Sequence, residues 1–259
     1  MLFINAFLVT MEPTPEGFLS IPDAFLLTEG DKIAALGPMS QCPDRSAFPA
    51  QEVMDLAGKK VYPGFIDAHC HMGLAEEGLN FEGDDLNEMT DPVTPHLRGI
   101  DAINPLNKSF SEAVDAAVTT VVTGPGSANA IGGQFCAIKT FGHNVDKMVI
   151  QEPVAMKFAL GENPKGCYGQ NKKQSPMTRM AVAGLLRELL MRTIRYRDDK
   201  AAGKNPPLDV KLEAMLPVVN GEIPIKCHAH RADDILTAVR IAREFDLKPV
   251  SYTHLRAHE

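Results

Sequence analysis

From Val61 onward, short apolar segments that suit β-strands alternate with segments of helical periodicity. This alternation is typical of a parallel sheet whose strands are joined by crossover helices. A long helix is predicted to open at Ser175 and Pro176, with an apolar stripe that packs into the core. The other predicted helices cover 109–118, 209–219 and 233–245, and the predicted strands lie near 61–71, 119–123, 154–159, 223–228 and 247–250. The pattern after Val61 therefore predicts an α/β domain.

The first sixty residues have a different pattern. Short strands are predicted at 2–9, 24–28, 32–36 and 52–56, with a turn at Glu29-Gly30-Asp31. We therefore expect residues 1–60 to form a small β-rich unit and residues 61–250 to form the larger α/β domain.

Composition limits the classes of function. With 259 residues, 44% of them hydrophobic, the chain is long enough to bury a large core. A net charge of −7 without a long basic run argues against nucleic acid as a partner. Five scattered cysteines without a Cys-x-x-Cys pair indicate neither a disulfide framework nor a thiolate zinc site, and favour a reducing compartment. The apolar opening MLFINAFLVT lacks a basic flank and is too short to cross a bilayer, so we expect a cytoplasmic protein without a membrane partner.

The segment VYPGFIDAHCHMG at 61–73 carries the first candidate site. If it forms a strand, side chains alternate between faces, so Asp67, His69 and His71 lie on one side. Two neutral imidazoles that converge in this way suit a divalent metal, and Asp67 is placed to orient one of them. A pair of ordinary structural or surface histidines is the alternative.

Two later strands carry further polar side chains. In IPIKCHAH (223–230), Lys226, His228 and His230 share a face, and in VAMKFALG (154–161), Lys157 shares a face with two alanines. Such groups gather at one mouth when parallel strands close into a barrel. A lone buried ammonium is costly, so Lys157 is expected to be exposed, ion-paired, or converted to a carbamate that bridges two metal ions.

A glycine-containing segment, Gly124 to Gln134, is predicted to form a loop at the same mouth. Its glycines allow close approach of the backbone to a ligand, and Asn129 and Gln134 are candidates to hydrogen-bond a polar group of the substrate. A simple tight turn is the alternative interpretation.

The sequence resembles the amidohydrolase superfamily of metal-dependent hydrolases, in the branch that includes imidazolonepropionase. The segments that carry the resemblance are GDKIAALG (30–37), PGFIDAHCH (63–71), TTVVTGPGSANAIGGQ (119–134), MKFALGENPK (156–165) and IPIKCHAH (223–230). It implies that His69 and His71 bind a first metal ion, that Lys157 is a carbamylated bridge, that His228 is a further ligand, and that His230 lies beside the substrate. It also implies one or two divalent ions, for which zinc suits imidazole ligands, with iron and manganese as alternatives.

The resemblance further implies a (β/α)₈ TIM barrel, with residues 1–60 as half of a β-sandwich. A full barrel takes about 250 residues, whereas about 200 follow Val61 and carry about six strand signals. We therefore expect an incomplete barrel in a C-terminally truncated chain of little activity, without the sixth-strand histidine and the eighth-strand aspartate of the family. Residues 251–259 are expected to be a non-native tail, and His254 and His258 are not counted as ligands.

The implied function is cleavage of a C–N bond in an amide, cyclic amide or dipeptide-like small molecule by a metal-activated water. A deaminase of the same superfamily and a non-catalytic barrel that serves as a scaffold or binding protein are the alternatives. Assembly as a homo-oligomer stays open.

Overall fold

The computed structural model describes residues 1–253, with side chains as far as Lys248. His254 and His258 lie outside the described residues, and only the backbone of residues 251–253 is described from the predicted tail. The chain divides into two compact units, Met1–Gly64 and Phe65–Glu259.

The first unit is a β-sheet built around its first strand. Residues Leu2, Ile4, Ala6 and Leu8 are buried, and the residues between them are less so, which is the two-residue period of a strand with one packed face. The sheet order is β3-β2-β1, and β4 and β5 both pair in parallel with the other edge of β1. The strands are β1 (Leu2–Thr14), β2 (Gly17–Glu29), β3 (Lys32–Pro38), β4 (Val53–Asp55) and β5 (Lys60–Val61), with 3₁₀ turns at Met39–Gln41, Arg45–Ala47 and Ala50–Glu52.

The second unit contains a sheet of six strands among the described residues. The strands are β6 (Phe65–Cys70), β7 (Val118–Thr123), β8 (Ile131–Lys139), β9 (Val149–Ala159), β10 (Ile225–Ala229) and β11 (Pro249–Thr253), in the order β11-β10-β9-β8-β7-β6. Strand β8 runs antiparallel to both β7 and β9. The other neighbouring pairs, β6–β7, β9–β10 and β10–β11, are parallel. The prediction of an entirely parallel sheet is therefore wrong at β8.

The connection from β7 to β8 explains this difference. It spans only residues 124–130, whereas a parallel crossover needs about a dozen residues or more, so the chain turns back antiparallel. The glycines of this region do not mark a loop through Gln134, because Gly133 lies inside β8. A Cβ on Gly133 would stand 2.5 Å from the carbonyl oxygen of Leu97, so the glycine permits close approach of a neighbouring segment.

Several helices begin at a residue whose side chain caps the first backbone N–H groups, close to the predicted start of the helix. Asp209, the first residue of the predicted helix 209–219, is its N-cap. Asn107 caps the first helix, whose predicted start was residue 109, and Thr178 caps the long helix, whose predicted start was Ser175. The helices are α1 (Lys108–Asp115), α2 (Val145–Met148), α3 (Glu162–Pro164), α4 (Arg179–Ala201), α5 (Val210–Val219) and α6 (Ala232–Glu244), with a π-helical turn Lys165–Asn171 after α3 and 3₁₀ turns at Phe81–Gly83 and Gly99–Ala102. No helix in the described part of the chain has both the length and the apolarity needed to cross a lipid bilayer.

Helices cover one face of this sheet. Met156 and Phe158 of β9 and Cys227 of β10 lie in an apolar cluster with buried side chains of α4, α5 and α6. Because side chains alternate along a strand, Lys157 and Lys226 point to the opposite face. Helix α1 and its surroundings cover β7 and β8 in a second cluster, which Cys70 of β6 also contacts.

The sheet curls around the face that the helices do not cover. Strands β6 and β10 are four positions apart in the sheet, which would separate them by about 19 Å if it were flat. Yet the Nζ of Lys226 on β10 donates a hydrogen bond to the carbonyl of Ala68 on β6. One lysine side chain is too short to bridge a flat sheet, so the uncovered face is concave, like the inside of half a barrel.

Helix α4 provides a direct test of which face of the helix packs into the apolar core. Leu190 is fully buried, whereas the next residue, Met191, is 56% exposed. We expect Leu190→Ala to lower the free energy of unfolding by about 2–5 kcal/mol, because it removes buried methyl groups and leaves a cavity. Met191→Ala is the matched control, expected to cost less than about 1 kcal/mol. Urea denaturation at 25 °C measures both, and equal losses would contradict the described packing.

Candidate functional site

The concave face of the second sheet carries a set of polar side chains near the carboxyl ends of its parallel strands. His69 is near the end of β6, with His71 just beyond it, Lys157 is on β9, and Lys226 and His228 are on β10. Lys157 and Lys226 are direct partners across the β9–β10 pair. The structure therefore brings side chains from three separated segments of the sequence to one surface.

His71 is held in a defined tautomer. Its Nδ1 lies 2.7 Å from the carbonyl oxygen of Gly124. Because a carbonyl can only accept, Nδ1 must carry the proton, and in the neutral ring the lone pair is then on Nε2. This is the arrangement in which histidine usually binds a metal, with its other nitrogen tied to a backbone carbonyl.

His69 and Lys157 approach each other across the curl. The Nε2 of His69 lies 3.5 Å from the Nζ of Lys157, and the rings of His69 and His71 meet edge to face with centroids 5.3 Å apart. Lys157 is only 1% exposed, and burial lowers the pKa of its ammonium to about 8. The amine of Lys157 is therefore far more often uncharged near neutral pH than that of a surface lysine.

Lys226 is a second buried lysine beside Lys157. It is 5% exposed, and burial likewise lowers the pKa of its ammonium to about 8. Its hydrogen bond to the carbonyl of Ala68 ties β10 to β6, the strand that carries His69. The sequence placed Lys226 on the same face as His228 but did not include it in the site.

His228 lies in a separate group of side chains. Its Nε2 is 2.9 Å from the Nε2 of His230 and 3.2 Å from the amide nitrogen of Asn163, which lies in α3. The two histidine rings meet edge to face, with centroids 4.4 Å apart. His230 is thus placed directly against a predicted ligand, and Asn163 is a neighbour that the sequence did not indicate.

Three residues that the sequence associated with the site have other contacts. Asn129 is buried and donates hydrogen bonds to the carbonyls of Glu88 and Asp91 at 2.6 and 2.8 Å, so its amide holds neighbouring loops together. Gln134 lies on the face of β8 opposite the concave one, and donates to the carbonyl of Pro95 at 3.2 Å. Asp67 accepts a hydrogen bond at 3.0 Å from the backbone N–H of His69, which braces the strand.

Phe135 is a member of the site that sequence reasoning missed. It is fully buried on the concave side of β8, and its ring stacks on that of His69, with centroids 5.1 Å apart and an interplanar angle of 24°. The ammonium groups of Lys226 and Lys157 lie 5.0 and 5.7 Å from the ring centre. The available signal was the run QFCAIK (134–139) after Gly132-Gly133, whose alternation of side chains is typical of a strand.

A cavity of about 570 Å³ opens beside these groups. His71 and His228 both line it, and so do Asn163 and Asn171, together with the backbone of Gly126. The predicted metal ligands therefore border a space large enough for a small molecule.

The potential ligands form pairs and not a complete ligand set. Among residues 1–253, no group of three or more His, Cys, Asp or Glu side chains lies close enough together to hold a metal ion. His69 and His71 form one pair with Lys157 beside them, and His228 and His230 form the other.

Burial of Lys157 predicts how stability changes with pH. Between about pH 8 and the ordinary lysine value of 10.5, the unfolded chain binds this proton and the folded chain does not, so rising pH favours the folded state. We expect the free energy of unfolding of the wild type, minus that of Lys157→Met, to rise by up to about 1.4 kcal/mol per pH unit in this window. Below pH 8 the methionine variant is expected to be the more stable, because it buries no charge.

Urea denaturation in EDTA measures the difference in the free energy of unfolding between the wild type and Lys157→Met. The exposed Lys172→Met is the control, and a flat difference for Lys157→Met would contradict the burial.

No family model matches the chain. Among curated proteins, it is 29% identical over its whole length to an amidohydrolase, tasK, of Hapsidospora irregularis, of which it covers 29%. It is 39% identical over 72 residues, 28% of this chain and 17% of the relative, to the imidazolonepropionase of Roseobacter denitrificans. The chain therefore spans less than a third of the length of these two relatives.

The fold gives a closer comparison. The crystal structure of an amidohydrolase from Thermotoga maritima superimposes with a TM-score of 0.84 at 39% identity, over 96% of this chain and 63% of that one. The curled sheet of the second unit is thus part of an architecture already seen in an amidohydrolase. Sequence and structure agree with the predicted resemblance, and these similarities support the amidohydrolase superfamily.

Proposed function

We propose that this protein is a metal-dependent hydrolase that cleaves the C–N bond of a small amide, cyclic amide or dipeptide-like substrate. The observation that carries the proposal is the fixed tautomer of His71, which places the lone pair on Nε2 and the ring beside that of His69, next to Lys157. The relatives named amidohydrolase and imidazolonepropionase support C–N bonds as the class of bond that is broken.

The chemistry of the nitrogen donors fits a divalent ion such as zinc. Neutral imidazole nitrogens are ordinary zinc ligands, and the Gly124 carbonyl presets one of them. We assign His69 and His71 as the first ligands, with Lys157 and His228 as further ligands of one or two ions. The close approach of Lys157 Nζ to His69 Nε2, at 3.5 Å, supports a shared point of binding.

We further propose that Lys157 acts as a carbamate. An uncharged lysine amine adds to carbon dioxide and loses one proton, which leaves an anionic group with two oxygen donors. The lowered pKa of Lys157 supports this step, because it supplies the uncharged amine near neutral pH. The carbamate would replace a costly buried cation by an anion next to the metal.

A bound divalent ion would lower the pKa of a water molecule and polarise the substrate carbonyl. The chain's own residues then provide position and proton transfer. We propose that His230, partly exposed and 2.9 Å from His228, exchanges a proton with a substrate in the cavity. The side chains of Asn163 and Asn171 in the cavity wall are suited to hydrogen-bond the polar groups of an amide substrate.

The same proposal extends to the architecture. We infer that the curled sheet is part of a barrel of the (β/α)₈ type in which β6 is the first strand and the antiparallel β8 departs from the all-parallel pattern, and that the first unit is part of a β-sandwich. The inference is supported by the common edge at which the parallel strands end and by the similarity to the Thermotoga amidohydrolase.

Metal binding is the first test, because it depends only on the proposed ligands and needs no known substrate. After dialysis against zinc and removal of excess metal, we expect about one or two ions per chain by elemental analysis. His69→Ala and His71→Ala are expected to lose most of this metal, because each removes a ligand. His143→Ala, at an exposed histidine away from the cavity, is the matched control and should keep the wild-type content.

The outcome separates the proposal from its alternative. No bound metal in the wild type, or the same loss in His143→Ala, would contradict a metal-dependent hydrolase and favour a barrel that serves as a scaffold. If metal binds, release of amine or acid from a panel of cyclic amides, linear amides and dipeptides identifies the bond that is cleaved, and His71→Ala should lower the rate by more than about tenfold.

A further inference from the structure

Phe135 lies at the centre of the polar groups on the concave face. Its ring contacts both histidines of the His-x-His pair, with centroids 5.1 Å from His69 and 6.1 Å from His71. The ammonium groups of Lys226 and Lys157 lie 5.0 and 5.7 Å from the ring centre. An apolar side chain that touches four ionisable groups is not explained by the apolar clusters, which lie on the other side of the sheet.

The backbone around Phe135 leaves room for its ring. A Cβ on Gly124 would stand 2.6 Å from two atoms of the Phe135 ring, a distance that no real contact allows. The missing side chain at Gly124 therefore lets the ring lie flat against the end of β7. The carbonyl of Gly124 also fixes the tautomer of His71. Gly124 therefore makes room for the ring of Phe135 and orients the ring of His71.

The geometry of the ring limits the orientation of His69. Two nearly parallel rings, 24° apart, pack in the offset manner that aromatic pairs favour, and this contact is worth more than burial alone. A histidine ring that rotated about its Cα–Cβ bond would lose this face and its approach to Lys157. The lysine charges on the ring add cation–π attraction, which favours their present positions.

We propose that Phe135 is a positioning residue: its ring holds the imidazole of His69 in the orientation in which Nε2 faces Lys157, and so presets the ligand geometry of the metal site. The consequence for metal binding rests on the proposed function, whereas the orientation of His69 does not. Phe135 itself neither binds the metal nor touches the reacting bond.

The inference is tested first in metal-free protein by NMR. The His69 ring signals are assigned by comparison with His69→Ala. Nuclear Overhauser contacts between the ring protons of Phe135 and His69 are expected in the wild type. In Phe135→Leu the His69 signals should move, because the stacked ring has gone. They should stay in place in Phe158→Leu, the matched control, which removes an equally buried phenylalanine from the opposite face of the sheet.

Zinc affinity gives the second measurement. Phe135→Leu is expected to weaken zinc binding about tenfold, the size of effect seen when a group that orients a ligand is lost. Phe158→Leu should bind zinc as tightly as the wild type while losing similar stability in urea. Phe135→Met, which fills a similar volume with a flexible chain, takes the place of the leucine variant if that variant does not fold.

The two proposals fail in different ways. Absence of the contact between Phe135 and His69, or an equal loss of zinc affinity in Phe135→Leu and Phe158→Leu, would overturn the positioning role. A wild type that binds no zinc would overturn the proposed function. In that case the nuclear Overhauser contact between Phe135 and His69, and the shift of the His69 ring signals in Phe135→Leu, still decide whether Phe135 orients the ring of His69.

Discussion

The burial of two lysines side by side is the constraint on which the second unit depends. Lys157 and Lys226 are partners across β9 and β10, and both are almost inaccessible to solvent. Removing an ammonium from water costs several kcal/mol unless its charge is lost or compensated. Here the lowered pKa values reduce the fraction of each lysine that is charged. The carbonyl of Ala68 and the ring of Phe135 compensate the charge that remains on Lys226. A protein gains nothing in stability from this arrangement, so its presence favours a functional role for the concave face.

The same strands pack their other side in an ordinary way. Met156, Phe158 and Cys227 alternate with the buried lysines and His228, and lie against helices α4, α5 and α6. One face of the sheet thus packs against helices in a stable apolar layer, while the concave face carries buried polar groups that lower stability. The curl brings the polar surface together, because it moves β6 and β10 within reach of one lysine side chain. Without that curvature, His69 and Lys157 would face the same direction and never meet.

Local chemistry explains which parts of the fold could be predicted. The strand that carries His69, the helix capped by Asp209 and the strand that carries His228 follow from periodicity and capping preferences along a few residues. The direction of β8 could not be predicted in that way, because glycines serve equally in turns and where two backbone segments approach closely. Gly133 meets the carbonyl of Leu97, a contact between segments that are distant in sequence. The substrate contacts expected of Asn129 and Gln134 stay predictions, and the hydrogen bonds that both amides donate to backbone carbonyls of other segments could not be read from the sequence.

By itself, the sequence determined that His69 and His71 share a face, that Lys157 and His228 lie near the ends of two other strands, and that the chain resembles the amidohydrolase superfamily. These are consequences of a two-residue period and of short motifs. Only the tertiary structure decided that the Gly124 carbonyl sets the tautomer of His71, that Phe135 lies under His69, and that Lys226 joins β10 to β6. Each of these contacts joins residues from different strands, and their distances depend on how strongly the sheet curls. That curvature arises from the packing of the whole domain, so no short stretch of sequence contains it.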